Sequence, residues 1–306
     1  MFSRLLSRGS LLAVGTAAAA GAAAYAWTPL GVAEAKAVAP ALSPEEWRPF
    51  KLVHKEALTH GANPTVLFRF ALPDAGQEVG LPVASCLLTR APIGSEKPDG
   101  SRAWVIRPYT PISHPDEKGH FDLAIKVYHQ PAPGKMSSHI DHLKVGGSLD
   151  LKGPLPKMSL ADIAKHKRVG MLAGGSGLTP CLQVAEEALR QKLPIELSFI
   201  FANVSERDII AKDRLDALAK QHPNFKVHYI VDKAESTNWK GSTGYITKEL
   251  LKEQMPPPAE GSLILVCGPP PMMKAISGDK LPDKSQGLLS GMLKDMGYTE
   301  SMVYKF

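Results

Sequence analysis

The run Arg107-Pro108-Tyr109-Thr110-Pro111 combines residues that suit a phosphorylated ligand with a flat ring. The first and third residues alternate, so in an extended chain their side chains point to the same face. An arginine can donate to two phosphate oxygens, a tyrosine ring can lie against a planar group, and a threonine hydroxyl can donate or accept a hydrogen bond. The two prolines stiffen the stretch. The alternative is an ordinary edge strand that leads into a proline turn.

A second candidate site is the run Gly134-Lys135-Met136-Ser137-Ser138, which follows a proline-rich loop. We predict a short helix after it, from His139 to Leu143. A glycine that opens onto successive free backbone N–H groups at a helix start can cradle an anion. The alternative is an ordinary helix start that one of the two serines caps with its side chain.

A third candidate site is the loop Gly174-Gly175-Ser176-Gly177. It does not match the G-x-G-x-x-G pattern, and it lacks the lysine of a phosphate-binding loop, which argues against nucleotide hydrolysis. Its glycines would still let the backbone approach a flat or phosphorylated ligand closely.

Two single residues at predicted strand ends complete the candidates. Asp232 follows a predicted strand, where a carboxylate can accept hydrogen bonds from ribose hydroxyls and repels a 2′-phosphate, which favours NADH over NADPH. Lys233 beside it weakens that repulsion. Cys267 lies at another strand tip and could contact a reacting ring. The alternatives are a turn aspartate and a small buried hydrophobic residue.

The elements that must position these residues differ between the two halves of the chain. In the first half, runs such as Phe50–Val53, Val66–Phe70 and Phe121–Tyr128 are separated by clusters of turn-forming residues. Strands at this spacing, without helical periods between them, favour a small antiparallel barrel, which we assign to residues 47–155.

The second half alternates strands with helices. The predicted strands are Val169–Ala173, Ile195–Phe201, Lys226–Val231 and Leu263–Cys267. This alternation predicts a parallel sheet with crossover helices over residues 167–306. Ligands of such sheets bind at the carboxyl ends of the strands. The predicted fold class is therefore an α+β protein of two domains, an antiparallel β-barrel followed by an α/β parallel-sheet domain.

Composition limits the class of protein. With 306 residues, 44% of them hydrophobic and 22% charged, the chain can form two globular domains. The net charge is +6, but lysine and arginine are dispersed, so nucleic-acid binding is not indicated. A basic surface could attract an acidic protein or anionic lipid. The 3 cysteines lie far apart without metal-ligand spacing, which argues against a disulfide framework or a zinc site.

The first stretch predicts a mitochondrial targeting sequence over residues 1–35. Arg4 and Arg8 occur with serines and leucines, and no acidic residue appears before Glu34. The uncharged stretch Leu11–Gly31, roughly twenty residues long, would span a bilayer as a single-pass anchor, although alanine makes it weakly hydrophobic. A secretory signal is the competing interpretation. Residues 36–46 are predicted to be a linker.

Four motifs in the same order resemble the ferredoxin-reductase-like flavoproteins, and most closely the NADH-cytochrome b5 reductases. They are Arg107–Pro111, Gly134–Ser137, Ala173–Pro180 and Cys267–Met272. The C-terminal stretch 297–306 resembles the fungal mitochondrial type of that family. The resemblance covers residues 50–306, and the four motifs together are specific although no single one is.

The resemblance implies that the barrel binds FAD and that the α/β domain binds NADH. NADH would deliver hydride to the flavin, and single electrons would pass to a separate, acidic cytochrome b5-like haem protein. Arg107 would hold the FAD pyrophosphate and Tyr109 would lie on the isoalloxazine. Asp232 would meet the adenosine ribose of NADH. The alternatives are another acceptor, such as quinone or ferric ion, or a non-catalytic binding module of the same fold.

The resemblance also implies a full set of site residues. Those for FAD are Arg107, Pro108, Tyr109, Thr110, Ala124, Lys126, Gly134, Lys135, Met136, Ser137 and Thr179, and those for NADH are Gly174, Gly175, Ser176, Gly177, Asp232, Cys267, Gly268 and Pro269. Tyr109, Lys135 and Cys267 are expected to act in catalysis, Thr65 is expected near the flavin, and no metal site is expected. The expected location is the mitochondrial outer membrane, reached through the N-terminal segment, or the intermembrane space.

One departure from the family pattern concerns the flavin surroundings. The family usually has a Gly-Gln-His run after Leu81-Pro82-Val83, where this chain has Ala84-Ser85-Cys86. Local contacts around the flavin are therefore expected to differ, whereas the pyrophosphate clamp is not affected.

Overall fold

The computed structural model describes residues 40–306, and two six-stranded sheets organise them. The strands are β1 (Arg48–Ala57), β2 (Thr65–Ala71), β3 (Ser85–Ala91), β4 (Val105–Tyr109), β5 (His120–Lys126), β6 (Ser148–Pro156), β7 (Arg168–Gly174), β8 (Glu196–Asn203), β9 (Phe225–Val231), β10 (Ser242–Thr243), β11 (Ser262–Cys267) and β12 (Val303–Lys305). The helices are α1 (Lys135–His142), α2 (Leu160–Ile163), α3 (Leu178–Arg190), α4 (Lys212–Gln221), α5 (Lys248–Gln254), α6 (Pro270–Ile276) and α7 (Gly291–Asp295).

The predicted membrane span at Leu11–Gly31 lies outside the described residues. Between residues 40 and 306, no helix is both long and apolar enough to cross a membrane.

The first sheet is antiparallel, with the strand order β4-β3-β6-β1-β2-β5. This confirms the predicted antiparallel architecture, but the sheet is open between β4 and β5 and does not form a closed barrel. Pro108 lies in β4, and an edge strand tolerates a residue that has no N–H to donate. Beyond the end of β4, the N–H of Ile112 donates to the carbonyl of Asp122 on β5 at 2.9 Å.

Aromatic side chains fill the core of this sheet. Phe70 and Phe121 stack with ring centroids 5.6 Å apart, and Phe50 meets Phe121 edge-on at 5.5 Å. Each of these phenylalanines is almost fully buried. They come from β1, β2 and β5, and in β1 and β2 the phenylalanines follow the period-2 alternation of a strand with one buried face.

The second sheet is built of parallel pairs in the order β10-β9-β8-β7-β11-β12. Its central strands are apolar on both faces: Met171 and Phe199 pack into one core, and Leu172 and Ile200 pack into another on the opposite face. Helices cover both faces, as expected for a parallel sheet. The predicted parallel sheet with crossover helices is therefore confirmed.

Two local features concern the candidate motifs. Arg107 and Tyr109 lie within β4, because the extended pairing with β3 continues to Tyr109. Helix α1 begins at Lys135 rather than at His139, because Gly134 is the last extended residue and the carbonyl of Gly134 already accepts from the N–H of Ser138.

The segment after β4 is held by helices of the second sheet. Gln183 on α3 donates its side-chain N–H to the carbonyl of Pro111 at 3.1 Å, and Arg214 on α4 donates to the carbonyl of Ile112 at 2.9 Å. Arg214 also pairs with Glu186 on α3. Burial raises the pKa of Glu186, and the guanidinium of Arg214 opposes that rise. These contacts fix the end of the Arg107–Pro111 motif against α3.

Candidate active site

One cavity of about 1360 Å³ is lined by residues of both sheets. This volume exceeds the range of about 300–1,000 Å³ that is typical of a site for one drug-sized ligand. Every residue predicted to bind FAD or NADH lines this cavity. Thr65, expected near the flavin, is a buried residue of β2 that does not line it. The roles of the lining residues stay predictions.

Three cations line the cavity on the side of the first sheet, namely Arg107, Lys126 and Lys135. The guanidinium of Arg107 donates to the backbone carbonyl of Ile106 at 2.8 Å, which uses one of its five N–H donors. Within residues 40–306, no carboxylate forms an ion pair with any of the three. Such a cluster suits an anionic ligand. A pyrophosphate, with two linked phosphates, carries the matching negative charge.

The start of α1 adds backbone donors on the same side. Gly134 precedes the helix, and within the described part of the chain no side chain caps its free N–H groups, so the serine cap considered as the alternative is not formed. A Cβ at Gly134 would lie 2.3 Å from the Oγ of Ser137 and 3.2 Å from the Cβ of Tyr128, so any larger residue would force the Ser137 side chain to move. Because the amides of 135–137 are not bonded within the helix, they can receive a phosphate.

Tyr109 supplies the aromatic surface. Burial raises the pKa of its phenol, and Arg107 opposes the rise. The phenol therefore stays neutral at physiological pH, and the side chain offers a ring and a hydroxyl rather than a charge.

On the side of the second sheet, two loops approach each other closely. A Cβ at Gly177 would lie 2.2 Å from the carbonyl oxygen of Cys267, so only glycine allows the loops after β7 and β11 to meet. The hydroxyl of Thr179 donates to the carbonyl of Ser176 at 3.3 Å, which holds the first of these loops at the start of α3. The resulting surface is mostly backbone and can approach a flat ring.

Cys267 is a neutral thiol in this setting. Burial raises its pKa to about 12, although the charge of Lys280 acts in the opposite direction. A thiol with so high a pKa is neither a nucleophile nor a metal ligand near neutral pH. The predicted contact with a reacting ring is compatible with this state, whereas thiolate chemistry is not.

Asp232 follows β9 at the carboxyl edge of the second sheet. Its backbone N–H donates to the carbonyl of Asn203 at 3.1 Å. Burial raises the pKa of its carboxyl, the nearby Asp208 raises it further, and Lys126 lowers it. The carboxyl therefore lies within electrostatic reach of Lys126 on the first sheet.

The sequence analysis missed several residues that line the cavity, including Asn203, Tyr245, Lys280 and Phe306. The rule that identified Asp232, a polar residue at the carboxyl end of a parallel strand, would also have identified Asn203, which ends β8. Phe306 and Lys280 reach the cavity through the C-terminal strand and the loop after α6, and no local spacing indicates this.

Family models match both halves of the chain. A model described as the oxidoreductase FAD-binding domain matches residues 49–159, and one described as the oxidoreductase NAD-binding domain matches residues 171–278. The unpaired cations and free helix amides fit a pyrophosphate, and the glycine-lined loops fit a flat ring. FAD and NADH are the cofactors of this oxidoreductase.

Curated relatives cover most of the chain. The NADH-cytochrome b5 reductase-like protein of Arabidopsis thaliana is 50% identical over 267 residues, which is 87% of this chain and 78% of the relative. NADH-cytochrome b5 reductase 2 of Pyricularia oryzae is 43% identical over 245 residues, 79% of this chain and 71% of the relative.

Solved structures show the same architecture. The cytochrome b5 reductase domain of Ulva prolifera nitrate reductase is 32% identical with a TM-score of 0.72, and the match covers 88% of this chain and 100% of that domain. A ferredoxin NADP+ reductase from Neisseria gonorrhoeae is 19% identical with a TM-score of 0.61, over 85% of this chain and 98% of that one, and shares the fold. From the identity and coverage of its relatives, this chain belongs to the NADH-cytochrome b5 reductase family.

Proposed function

We propose that this chain transfers electrons from NADH, through bound FAD, to a cytochrome b5-type haem protein. The observation that carries the proposal is that one cavity is lined both by β4, β5 and α1 and by the loops after β7, β9 and β11. Bound FAD supplies the chemistry, since it accepts a hydride from NADH and releases electrons singly.

The first-sheet residues bind and orient the flavin nucleotide in this proposal. Arg107 and the free amides at the start of α1 hold the pyrophosphate. Tyr109 presents its neutral ring to the flat part of the cofactor. Lys135 contributes positive charge beside these amides, which favours a negative charge on the bound nucleotide.

The second-sheet residues place the nicotinamide against the flavin. Gly177 lets the loops after β7 and β11 lie in backbone contact, so the ring meets a surface without bulky side chains. Gln183 and Arg214 donate hydrogen bonds to the segment after β4, and these bonds fix the position of that surface relative to Tyr109. Bringing two reacting groups into one fixed geometry is itself a large catalytic effect.

The charge of the chain supports an acidic partner. The net charge is +6, and besides Lys126 and Lys135 three further lysines line the cavity, namely Lys157, Lys280 and Lys284. Lys280 donates to the carbonyl of Lys305 at 2.9 Å, and burial together with Lys157 lowers its pKa. Complementary charge mainly accelerates the encounter of two proteins, and this acceleration falls as salt increases.

We further propose that residues 1–35 direct the chain to mitochondria and anchor it in the outer membrane. The proposal rests on Arg4, Arg8 and the uncharged stretch Leu11–Gly31. Fractionation of cells expressing the full chain should recover it with mitochondrial outer membranes, and residues 36–306 alone should not associate with mitochondria. Recovery of the full chain outside mitochondria would contradict this proposal.

The acceptor is tested by steady-state kinetics with purified cytochrome b5, a quinone and ferric citrate at matched NADH concentration. We expect the highest kcat/KM with cytochrome b5, and that value should fall as ionic strength rises while the value for quinone does not. Equal or higher kcat/KM with quinone or ferric ion would assign a different acceptor to the same flavin site.

Arg107→Ala should yield protein largely without FAD, because Arg107 is the one arginine among the described residues that line the cavity. The measurement is the ratio of flavin to protein absorbance after purification. Arg102→Ala serves as the control, since Arg102 is an exposed residue of the same region that pairs with Glu96 at 3.6 Å. Stoichiometric FAD in Arg107→Ala would contradict the clamp.

Asp232→Ser should reduce the preference for NADH over NADPH. The measurement is the ratio of kcat/KM for NADH to kcat/KM for NADPH, which should fall. The raised pKa of Asp232 means that its carboxyl protonates at a higher pH than an ordinary aspartate. The repulsion of a 2′-phosphate is therefore present above that pKa and is lost as pH falls through it, so the wild-type preference should decline towards acidic pH.

The same pH series in Asp232→Ser should show a smaller pH dependence, and the exposed Asp213→Ser should behave as wild type. An unchanged NADH/NADPH ratio in Asp232→Ser would rule out this role.

A further inference from the structure

The loop between α6 and α7, residues 277–290, has no hydrophobic core of its own. Its two ends meet, since the N–H of Ser290 donates to the carbonyl of Ser277 at 3.2 Å, and a compact loop with joined ends is an Ω-loop. None of residues 279–288 contributes a side chain to the hydrophobic clusters of the described residues. The position of this loop therefore depends on polar contacts.

The ammonium group of Lys305 lies inside the loop. Lys305 is on β12 and is only 2% exposed. Its Nζ donates to the carbonyls of Leu288 at 3.1 Å and Asp279 at 3.2 Å, with longer contacts to those of Ser277 at 3.4 Å and Gly287 at 3.5 Å. Among the described residues, no carboxylate forms an ion pair with it. Carbonyl dipoles of the loop therefore replace the hydration of this charge.

These surroundings select the charged form of the amine. An ammonium has three N–H donors and no acceptor, whereas a neutral amine has a lone pair that carbonyl oxygens cannot satisfy. Burial lowers the pKa of Lys305, and the charges of Asp279 and Glu300 act in the opposite direction. Because a buried charge is stable only when hydrogen bonds replace its hydration, Lys305 stays buried only while the carbonyls of the loop surround it.

The loop also binds the backbone of Lys305. The side-chain amide of Gln286 accepts from the N–H of Lys305 at 2.7 Å and donates to its carbonyl at 2.9 Å. Lys280 donates to the same carbonyl at 2.9 Å. Residues from both halves of the loop thus contact one residue of β12, and these contacts fix the position of Lys280.

Three charged residues of the loop line the cavity, namely Lys280, Asp283 and Lys284. Lys280 is half-buried and Lys284 is exposed, and within residues 40–306 neither lysine has an ion-pair partner. The carboxylate of Asp283 accepts from the N–H and the hydroxyl of Ser285 at 2.9 Å and 2.7 Å, so it is engaged within the loop. Unpaired lysines beside a cavity suit the surface of an acidic protein.

We propose that Lys305 is a positioning residue for the electron acceptor. Its ammonium holds the 277–290 loop so that Lys280 and Lys284 meet an acidic haem protein that approaches the cavity. This inference rests on the proposed function, in which such a protein accepts the electrons. The proposed nucleotide contacts come from other elements, so a loosened loop should weaken the encounter with the acceptor and spare the transfer of hydride.

Lys305→Met keeps the length of the side chain and removes its charge and its donors. In the full, FAD-loaded chain, the KM for cytochrome b5 should rise about tenfold, whereas kcat and the rate at which NADH bleaches the flavin should stay within about twofold of wild type. Amides of the loop should exchange hydrogen faster. Lys226→Met is the matched control: it removes the same charge from an exposed strand residue of the same sheet that does not line the cavity, and it should behave as wild type.

Lys305→Ala tests whether the ammonium group itself is required, and it provides a second variant in case methionine does not fit. The truncation leaves space among the carbonyls that propylammonium, with its three N–H donors, can enter. Propylammonium chloride should restore the KM for cytochrome b5, whereas tetramethylammonium chloride, which has no N–H donor, should not. Both salts are compared at constant ionic strength, because salt alone weakens the encounter of charged proteins.

The outcomes separate this inference from the proposed function. Faster exchange in the loop with an unchanged KM for cytochrome b5 would show that Lys305 only stabilises the loop, and the inference would be wrong. Unchanged exchange, or loss of FAD from both variants without rescue by propylammonium, would also overturn it. If wild type reduces its flavin with NADH but does not reduce cytochrome b5, the proposed acceptor is wrong and this inference fails with it.

Discussion

Unpaired positive charge at the open edge of the first sheet is the constraint on which the site depends. Arg107 on β4 and Lys126 on β5 lie on the two strands that do not pair, and the free amides of α1 face the same cavity. Unpaired cations and free helix amides of this kind favour an anionic ligand. They lie together on the side of the cavity that the first sheet forms.

The second sheet completes this site through a few precise contacts. Gln183 and Arg214 bind the carbonyls that follow Tyr109, and Gly177 allows the loops after β7 and β11 to meet. Because these contacts come from helices and strand ends rather than long loops, they fix the segment after β4 against the second sheet. The catalytic contribution of the protein is then mainly one of position, with the cofactor supplying the redox chemistry.

The fold class followed from local patterns, since alternation and strand–helix succession are properties of short stretches. The residues around the cavity were also predictable where they sit in motifs or at strand ends, as Arg107, Gly177 and Asp232 do. The open edge between β4 and β5 was not predictable from the sequence, because residues far apart in the chain decide which strands pair. Phe306 and Lys280 reach the cavity only through tertiary packing.

The central claim is that one cavity brings FAD and NADH together, and the visible spectrum of the purified full chain tests it most directly. The account predicts a yellow protein with one FAD per chain whose flavin absorbance bleaches when NADH is added without oxygen. A protein that stays colourless after FAD is supplied, or a bound flavin that NADH does not reduce, would contradict it.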